Sequence, residues 1–394
     1  MDFIGERYYK LNRILLLCLG LWPYQNSSLK KIQIIFFETL FISFLLCQFN
    51  TFLVMKYDIN IIIKVLLYII INCIFIIKYN AYFLLADNIK YIFDRIRYDW
   101  NLLKTQVELE IIRGYANNAK LYTICFVLLV TISILAYIIL SCIPCVLDII
   151  MPMNDSRPLS LPILVEYYFV DKEVYYYTIL THIIVILCAG CITITAIATL
   201  LIAYVVHNCA MFKIASYRME HICDENVQQM SKNLKQYVFY EKLIHAVYIH
   251  RRALDLASIL TDSFATLYFV LLGFGVSSTI LSVLNFVNAV SLDDISELLI
   301  FSGIIFIHLY YIFLGNYVGQ GIIDTSSDIY QSAYKTHWYA APLWVQKSLL
   351  LVMKRINKKS TLTAGGLFDA SLEGFATLMS TSMSYVMVVQ SMRA

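Results

Sequence analysis

Six positions near the end of the chain share one side of a helix. Advanced at 100° per residue, Glu373, Thr377, Ser380, Val388 and Ser391 all fall within roughly 40° of Ser384. All but Val388 are polar, and the opposite side carries Phe375, Met379, Val386 and Val389. Hydroxyls on an otherwise apolar helix have two uses. They bond to neighbouring helices or to their own backbone, or they line a water-filled path. The stripe by itself fits both. Its length favours the path, as does its interruption at Val388 with Met392 one turn on, because an apolar constriction in a polar pore gates by dewetting. The stripe holds no Lys or Arg, and Arg393 lies about 180° from Ser384. Glu373 sits near the helix N-terminus, where the dipole favours a carboxylate. Such a surface admits cations without strong selectivity. One helix cannot enclose a pore, so the reading predicts several copies around an axis.

Other reactive residue types offer less. Cys142-Ile143-Pro144-Cys145 has the spacing of a redox or metal pair, but no Cys/His cluster with ligand spacing accompanies it. Packing is the preferred use of these thiols, with a disulfide the alternative. His182 is the one titratable candidate in the outer part of the bundle, and a lone buried His is usually neutral and hydrogen-bonded. His245 and His250 are five apart and do not share a helix face. No intramembrane carboxylate or His/Cys pair is placed for acid–base, nucleophilic or metal chemistry, so the chain is not read as an enzyme and no cofactor is implied.

The elements that position the stripe follow from composition. Of 394 residues, 60% are hydrophobic and 14% charged, against about 25% charged in average soluble domains. Seven stretches are long and apolar enough to cross a bilayer: Ile32–Met55, Ile59–Tyr82, Leu121–Leu147, Val174–Phe212, Ser263–Leu292, Leu298–Ile323 and Gly374–Met392. Charges interrupt two of them, Glu38 in the first and Lys64 and Lys78 in the second. The net charge of +3 is too small to suggest a nucleic-acid partner. Lys and Arg cluster before the first span (Arg7, Lys10, Arg13, Lys30, Lys31) and after the second, fourth and sixth. The loop after the third span offers only Arg157 and Lys172, and the loop after the fifth carries Asp293 and Asp294. The positive-inside bias therefore predicts a cytosolic N-terminus and an extracellular C-terminus, the reverse of a G-protein-coupled receptor. The third span lacks a following Asp-Arg-Tyr and the seventh lacks Asn-Pro-x-x-Tyr. Asn154-Asp155-Ser156 is a glycosylation sequon on a predicted outer loop. Leu11–Leu21 precedes Trp22-Pro23-Tyr24 rather than a small-residue cleavage site, and is read as an amphipathic helix on the inner leaflet.

The fourth span, Val174–Phe212, has no Asp, Glu, Lys or Arg and would run roughly 58 Å as a helix, about twice the ~30 Å hydrocarbon core. It is predicted to continue into the cytosol under protein cover. Tyr237–Leu260 and Tyr330–Met353 are also helix-periodic, and together these segments predict a helical platform below the membrane. Tyr330, Tyr334, Trp338 and Tyr339 either pack within the subunit or form contacts between subunits, where Trp and Tyr are enriched.

The C-terminal wording carries a resemblance. Ser326–Tyr339 reads Ser-Ser-Asp-Ile-Tyr-Gln-Ser-Ala-Tyr-Lys-Thr-His-Trp-Tyr. After Pro342 come Gln346–Arg355, then Leu362-Thr363-Ala364-Gly365-Gly366, and finally Thr381–Met392. In order and wording this block, about Leu298–Met392, resembles the C-terminal signature of insect odorant receptors; the rest matches by topology and helix length. The resemblance implies an all-α, seven-helix membrane protein with a cytosolic anchor bundle. It implies a tetrameric, poorly selective cation channel gated by small volatile apolar ligands, in the plasma membrane of olfactory sensory neurons. Residues 1–320 would form the pocket-bearing bundle, 321–360 the anchor helix with Tyr330, Tyr334, Trp338 and Tyr339 at subunit contacts, and 361–394 the pore-lining helix. The gate maps onto Val388 and Met392, with Ser384, Gln390 and Ser391 along the pore. The chain lacks the insertion of the family's shared co-receptor between the fourth and fifth spans, so it resembles an odorant-tuning subunit partnered by that co-receptor, by membrane lipid and by permeating cations. Met383 stands where a Tyr is frequent. The family's pocket, in the outer half of the bundle, would here be lined by Tyr68, Ile71, Asn72 and Phe75. Ser133, Tyr137 and Leu140 join from the third span, Tyr177, Leu180, Thr181 and Ile184 from the fourth, and Ser277, Ile280 and Leu281 from the fifth. A mostly apolar set with a few hydroxyls suits uncharged volatiles. A gustatory-type channel shares the fold but usually ends on Thr-Tyr, three hydrophobic residues, Gln and Phe, which this chain does not show. A G-protein-coupled receptor is the remaining and weaker alternative.

Overall fold

The computed structural model describes residues 5–54, 58–150, 161, 163–167, 171, 174–223, 232–336, 338–356 and 360–392, excepting the side chains of 144–150, 232, 233 and 340. The chain is nearly all helical. In order it forms α1 (Glu6–Cys18), α2 (Ser28–Val54), α3 (Ile59–Leu84), α4 (Ala86–Leu102), α5 (Gln106–Ile150), α6 (Tyr176–Glu220), α7 (Lys232–Leu292), α8 (Ile295–Lys335), α9 (Leu343–Ile356) and α10 (Leu372–Ser391). A hairpin of two-residue strands, β1 (Thr363–Ala364) and β2 (Phe368–Asp369), precedes α10, with Thr363 opposite Asp369 and Ala364 opposite Phe368.

Among the described residues, α2, α3, α5, α6, α7 and α8 are long and apolar enough to cross a membrane. The seventh predicted span, α10, is 20 residues long and falls outside that group. Its hydroxyls, Thr377, Ser380, Thr381, Ser382 and Ser384, dilute its apolar character. α2 shows how a lipid-facing helix is built. It buries Phe41, Phe44, Gln48 and Thr51, a narrow stripe at helical spacing, and exposes Ile32, Ile35, Phe36, Ile42, Leu46, Phe49 and Leu53. An exposed apolar surface of this kind belongs against hydrocarbon.

α6 is the opposite case. It packs against α5, α7 and α8 and is buried on nearly every side. Small residues such as Ala189, Gly190, Ala196, Ala203 and Ala210 let neighbours approach. At Gly190 an added Cβ would lie 2.2 Å from the Phe75 ring. Its buried threonines satisfy themselves on the preceding turn, Thr193 on the Ala189 carbonyl at 2.8 Å and Thr199 on Thr195 at 2.7 Å.

The long helices run past any bilayer. α6 has 45 residues and α7 has 61, roughly 67 and 92 Å. Tyr237–Leu260, helix-periodic in sequence, is continuous with the fifth span inside α7. The predicted anchor interval 321–360 is not one helix. Residues 321–335 belong to α8, and a break with a 3-10 turn at Trp338–Ala340 and Pro342 separates them from α9. Nor is 361–394 all helix, since the hairpin occupies its beginning.

Below the spans, ion pairs pin the helices together. The Asp99 carboxylate on α4, 1% exposed, accepts from Arg252 of α7 at 2.5 and 2.6 Å and lies 3.3 Å from His207 Nε2 of α6. Arg218 Nε of α6 donates to Glu108 of α5 at 2.6 Å. Burial pushes the Glu108 carboxyl up, but the Arg218 guanidinium and Thr105 outweigh it and hold it below its ordinary value. α1 is amphipathic as read from sequence, but its apolar face is covered by protein rather than by a leaflet. Tyr8 stacks on Trp100 at 5.7 Å, Leu16 is fully buried, and Asn12 donates to Thr199 at 2.9 Å. Cys142 is a free thiol. Asn154 and the side chain of Cys145 lie outside the described residues.

Candidate functional site

An apolar cavity of about 500 Å³ lies between α3, α5, α6, α7 and α8, within the 300–1,000 Å³ typical of small-molecule sites. Of these, α3, α6 and α7 each supply one face at helical spacing. α3 contributes Tyr68, Ile71, Phe75 and Lys78; α5 contributes Phe126, Ser133, Tyr137 and Leu140; α6 contributes Ile184, Leu187, Cys191 and Ile194. From α7 come Thr261, Phe264, Tyr268 and Gly275, and from α8 Ile304, His308, Tyr311, Gly315 and Asn316.

Half of the predicted pocket set meets here: Tyr68, Ile71, Phe75, Ser133, Tyr137, Leu140 and Ile184. The others point elsewhere for local reasons. Asn72, one step round from Ile71, donates to the Phe41 carbonyl of α2 at 3.2 Å. Tyr177, Leu180 and Thr181 lie toward the start of α6, beyond the cavity's end; Tyr177 is 66% exposed and Thr181 bonds back to its carbonyl at 2.7 Å. Ser277 stands nine residues after Tyr268, about 180° round α7, is exposed, and bonds to the Gly273 carbonyl at 2.9 Å. Ile280 is off the lining face, and Leu281 packs into a separate cluster with Leu67, Ala289 and Phe301. The cavity is thus deeper than the sequence suggests. His182 stays out of it, held between Tyr167 Oη at 2.5 Å and Ser43 Oγ at 3.4 Å.

Sequence reasoning missed Lys78, Tyr268, His308, Tyr311 and Asn316. The signal was present on α3, where Tyr68, Ile71, Phe75 and Lys78 continue one face at steps of three, four and three. Lys78 reads as an interruption of a span, yet it is the next lining position.

The cavity ends on the hairpin. Leu362, Thr363, Ala364, Phe368 and Ala370 line its inner end. Gly365 and Gly366 make the turn at φ of +62° and +69°, a region that favours glycine. Gly365 N–H donates to the Ala265 carbonyl of α7 at 3.0 Å. From α8, Asn316 Oδ1 accepts from Ser371 N–H at 3.1 Å and Gln320 Oε1 from Leu372 N–H at 3.3 Å. Ser371 caps α10 by accepting from Gly374 N–H at 3.0 Å, and Glu373 falls in the first turn.

α10 buries only Leu378, Ser382 and Val386 against its own subunit. The predicted polar face, Glu373, Thr377, Ser380, Ser384, Val388 and Ser391, is exposed along its length. Val388 is 54% and Met392 82% exposed, while Gln390 is half-buried. The hydroxyls rest on their own backbone, Thr377 on Glu373 at 3.0 Å and Ser384 on Ser380 at 2.9 Å. Among the described residues, none of them bonds to a neighbouring helix. Of the anchor aromatics, Tyr330, Tyr334 and Tyr339 are exposed and Trp338 packs against the subunit's own core. Exposed Leu343, Trp344, Leu350 and Leu351 extend this surface along α9.

The family model for the 7tm Odorant receptor matches residues 58–383. The chain belongs to the odorant receptor family. Membership makes it a receptor rather than an enzyme. Odorant receptor 9a of Drosophila melanogaster is 24% identical over 244 residues, covering 62% of this chain and 57% of that relative's length. The Odorant receptor coreceptor of Anopheles gambiae is 26% identical over 145 residues, 36% of this chain and 30% of that protein. In fold, the olfactory receptor OR5 of Machilis hrabei, solved in complex with eugenol, superposes with a TM-score of 0.81 at 11% identity, covering 98% of both chains. This odorant receptor therefore shares the seven-transmembrane fold of its family.

Proposed function

We propose that this chain is the odorant-tuning subunit of a tetrameric, poorly selective cation channel, with its N-terminus cytosolic and Asn154 on the outer side. It works with an odorant receptor coreceptor in the plasma membrane of olfactory sensory neurons. The observation that carries the reading is the shared hairpin: Thr363, Ala364, Phe368 and Ala370 line the cavity and lead directly into α10. A ligand filling the cavity pushes on the segment that sets the position of the last helix. Four copies of the exposed stripe, facing one axis, make a wet path closed by Val388 and Met392, with Ser384, Gln390 and Ser391 beside it. Moving α10 carries the apolar pair off the axis and lets water and cations through. The cavity's lining suits small, largely apolar molecules held by shape and a few polar contacts; the eugenol bound by the OR5 relative is one of that kind. Tyr330, Tyr334 and Tyr339, with the apolar face of α9, supply the surface by which subunits hold each other.

Co-expression with a coreceptor and exposure to a volatile panel tests the reading. Cation current evoked by at least one volatile, and absent from the coreceptor alone, is expected. Silence from a complex shown to reach the surface sinks it.

A further inference from the structure

Among the described residues, Lys78 is the one Lys, Arg, Asp or Glu on the cavity wall. It is 1% exposed and projects from α3 within a membrane span. Its Nζ donates to Tyr311 Oη at 2.5 Å and lies 4.5 Å from that ring's centroid. Among the described residues no Asp or Glu pairs with it, whereas Lys64, on the same helix, is paired with Glu297. An ammonium has three donors, so one phenol leaves it under-satisfied. A buried charge without a counter-ion is costly, and an ionisable residue at membrane depth usually marks a functional site. Three further polar atoms of the cavity wall are buried and, among the described residues, have no hydrogen-bond partner: Tyr137 Oη, Tyr268 Oη and His308 Nδ1. Tyr268 lies within electrostatic reach of Tyr311, and His308 precedes Tyr311 by three residues, nearly a turn, on α8. Four helices thus bring a cation and unpaired polar groups to the wall of an otherwise largely apolar chamber.

We infer that the cavity takes small organic acids, with the carboxylate at Lys78 and Tyr311 and the hydrocarbon chain along the apolar helix faces. The ammonium supplies charge and donors to one end of the ligand, which a neutral alcohol matches poorly and an amine opposes. Tyr268 Oη, whose proton has no acceptor, can donate to the second carboxylate oxygen. The inference rests on the cavity being the receptor's ligand site, and it replaces the uncharged volatile expected from sequence with a ligand class carrying an acceptor.

The test uses the full chain in nanodiscs and equilibrium binding of octanoate, octan-1-ol and octan-1-amine. Octanoate is expected to bind at least tenfold tighter than the alcohol, with the amine weakest. Lys78→Met should weaken octanoate about tenfold and leave the alcohol within twofold, and Lys78→Arg should retain the preference for the acid. An alcohol as tight as the acid in the wild-type chain overturns the inference, even if Lys78→Met fails to fold. So does a well-folded Lys78→Met that keeps its octanoate affinity. Currents recorded from the complex with a coreceptor separate the two claims. Octanoate binding with no current to it or to any volatile of the panel removes the channel reading and leaves the acid site standing, while current evoked equally by octan-1-ol and octanoate removes the acid site alone.

Discussion

Asp99 is almost wholly buried and serves two partners, Arg252 and His207, on different helices. Replacing it by Ala strands both, and removing one partner of a buried pair typically costs about 3–5 kcal/mol. Asp99→Ala should therefore lower the thermal midpoint and the yield of folded protein far more than Asp255→Ala, whose carboxylate is 63% exposed beside Arg95. His250 gives a pH prediction. Burial, reinforced by the Arg355 charge, lowers its pKa from 6.5 to about 4. The folded state then binds fewer protons than the unfolded state between those values, so stability is complete above pH 6.5 and falls as pH drops toward 4. The loss is about 3 kcal/mol at most. Thermal unfolding at pH 7.5 and 5 should show it, and His250→Phe should flatten the difference. At the pore face, Val388→Ser removes the apolar closure and should raise ligand-independent current; an unchanged resting conductance would place the gate elsewhere.

At the scale of elements, the joint between α8, the hairpin and α10 is tight. A Cβ at Gly319 would lie 2.4 Å from the Ala370 carbonyl oxygen, and one at Gly374 would lie 2.6 Å from the Asp369 carbonyl oxygen, whereas one at Gly273 meets nothing within 4 Å. Gly319→Ala should shift the concentration dependence of the evoked current by an order of magnitude or more, with Gly273→Ala close to wild type. Equal effects of the two would show that the joint carries no coupling. Helix existence was legible in the sequence because apolar runs and their charge boundaries are local properties. The polar face of α10 was legible for the same reason, since a helical wheel needs only spacing. Where helices end or merge was not. The joining of Tyr237–Leu260 to the fifth span, and the division of the anchor at Thr336–Pro342, depend on what covers the backbone. The hairpin escaped notice because strands of two residues leave no periodicity. Its only signal was Gly365-Gly366, a pair fit for positive φ. The cavity was half legible: the inward faces of α3 and α5 could be read, but its depth along α6 and α7 could not, because depth is set by how helices cross.

For the whole molecule, the exposed surface divides by chemistry. α2 presents hydrocarbon-like side chains to its surroundings, α10 a hydroxyl face, and α9 with the end of α8 a mixed aromatic and aliphatic face. The last of these includes Leu350 at 59% and Leu351 at 70% exposure, beyond the spans where water would otherwise meet them. Leu350→Asp combined with Leu351→Asp should leave the subunit folded and convert the complex to smaller species by native mass spectrometry. An intact tetramer would assign this face to another partner. The hairpin has a consequence for timing. It belongs at once to the cavity floor and to the foot of α10, and coupling between two such places is reciprocal. On the proposed mechanism, an open pore holds its ligand more tightly by the same factor by which the ligand favours opening. Variants that rest open should release odorant slowly, so the response would outlast the stimulus, and a receptor tuned for sensitivity would pay in its ability to follow rapid pulses of scent.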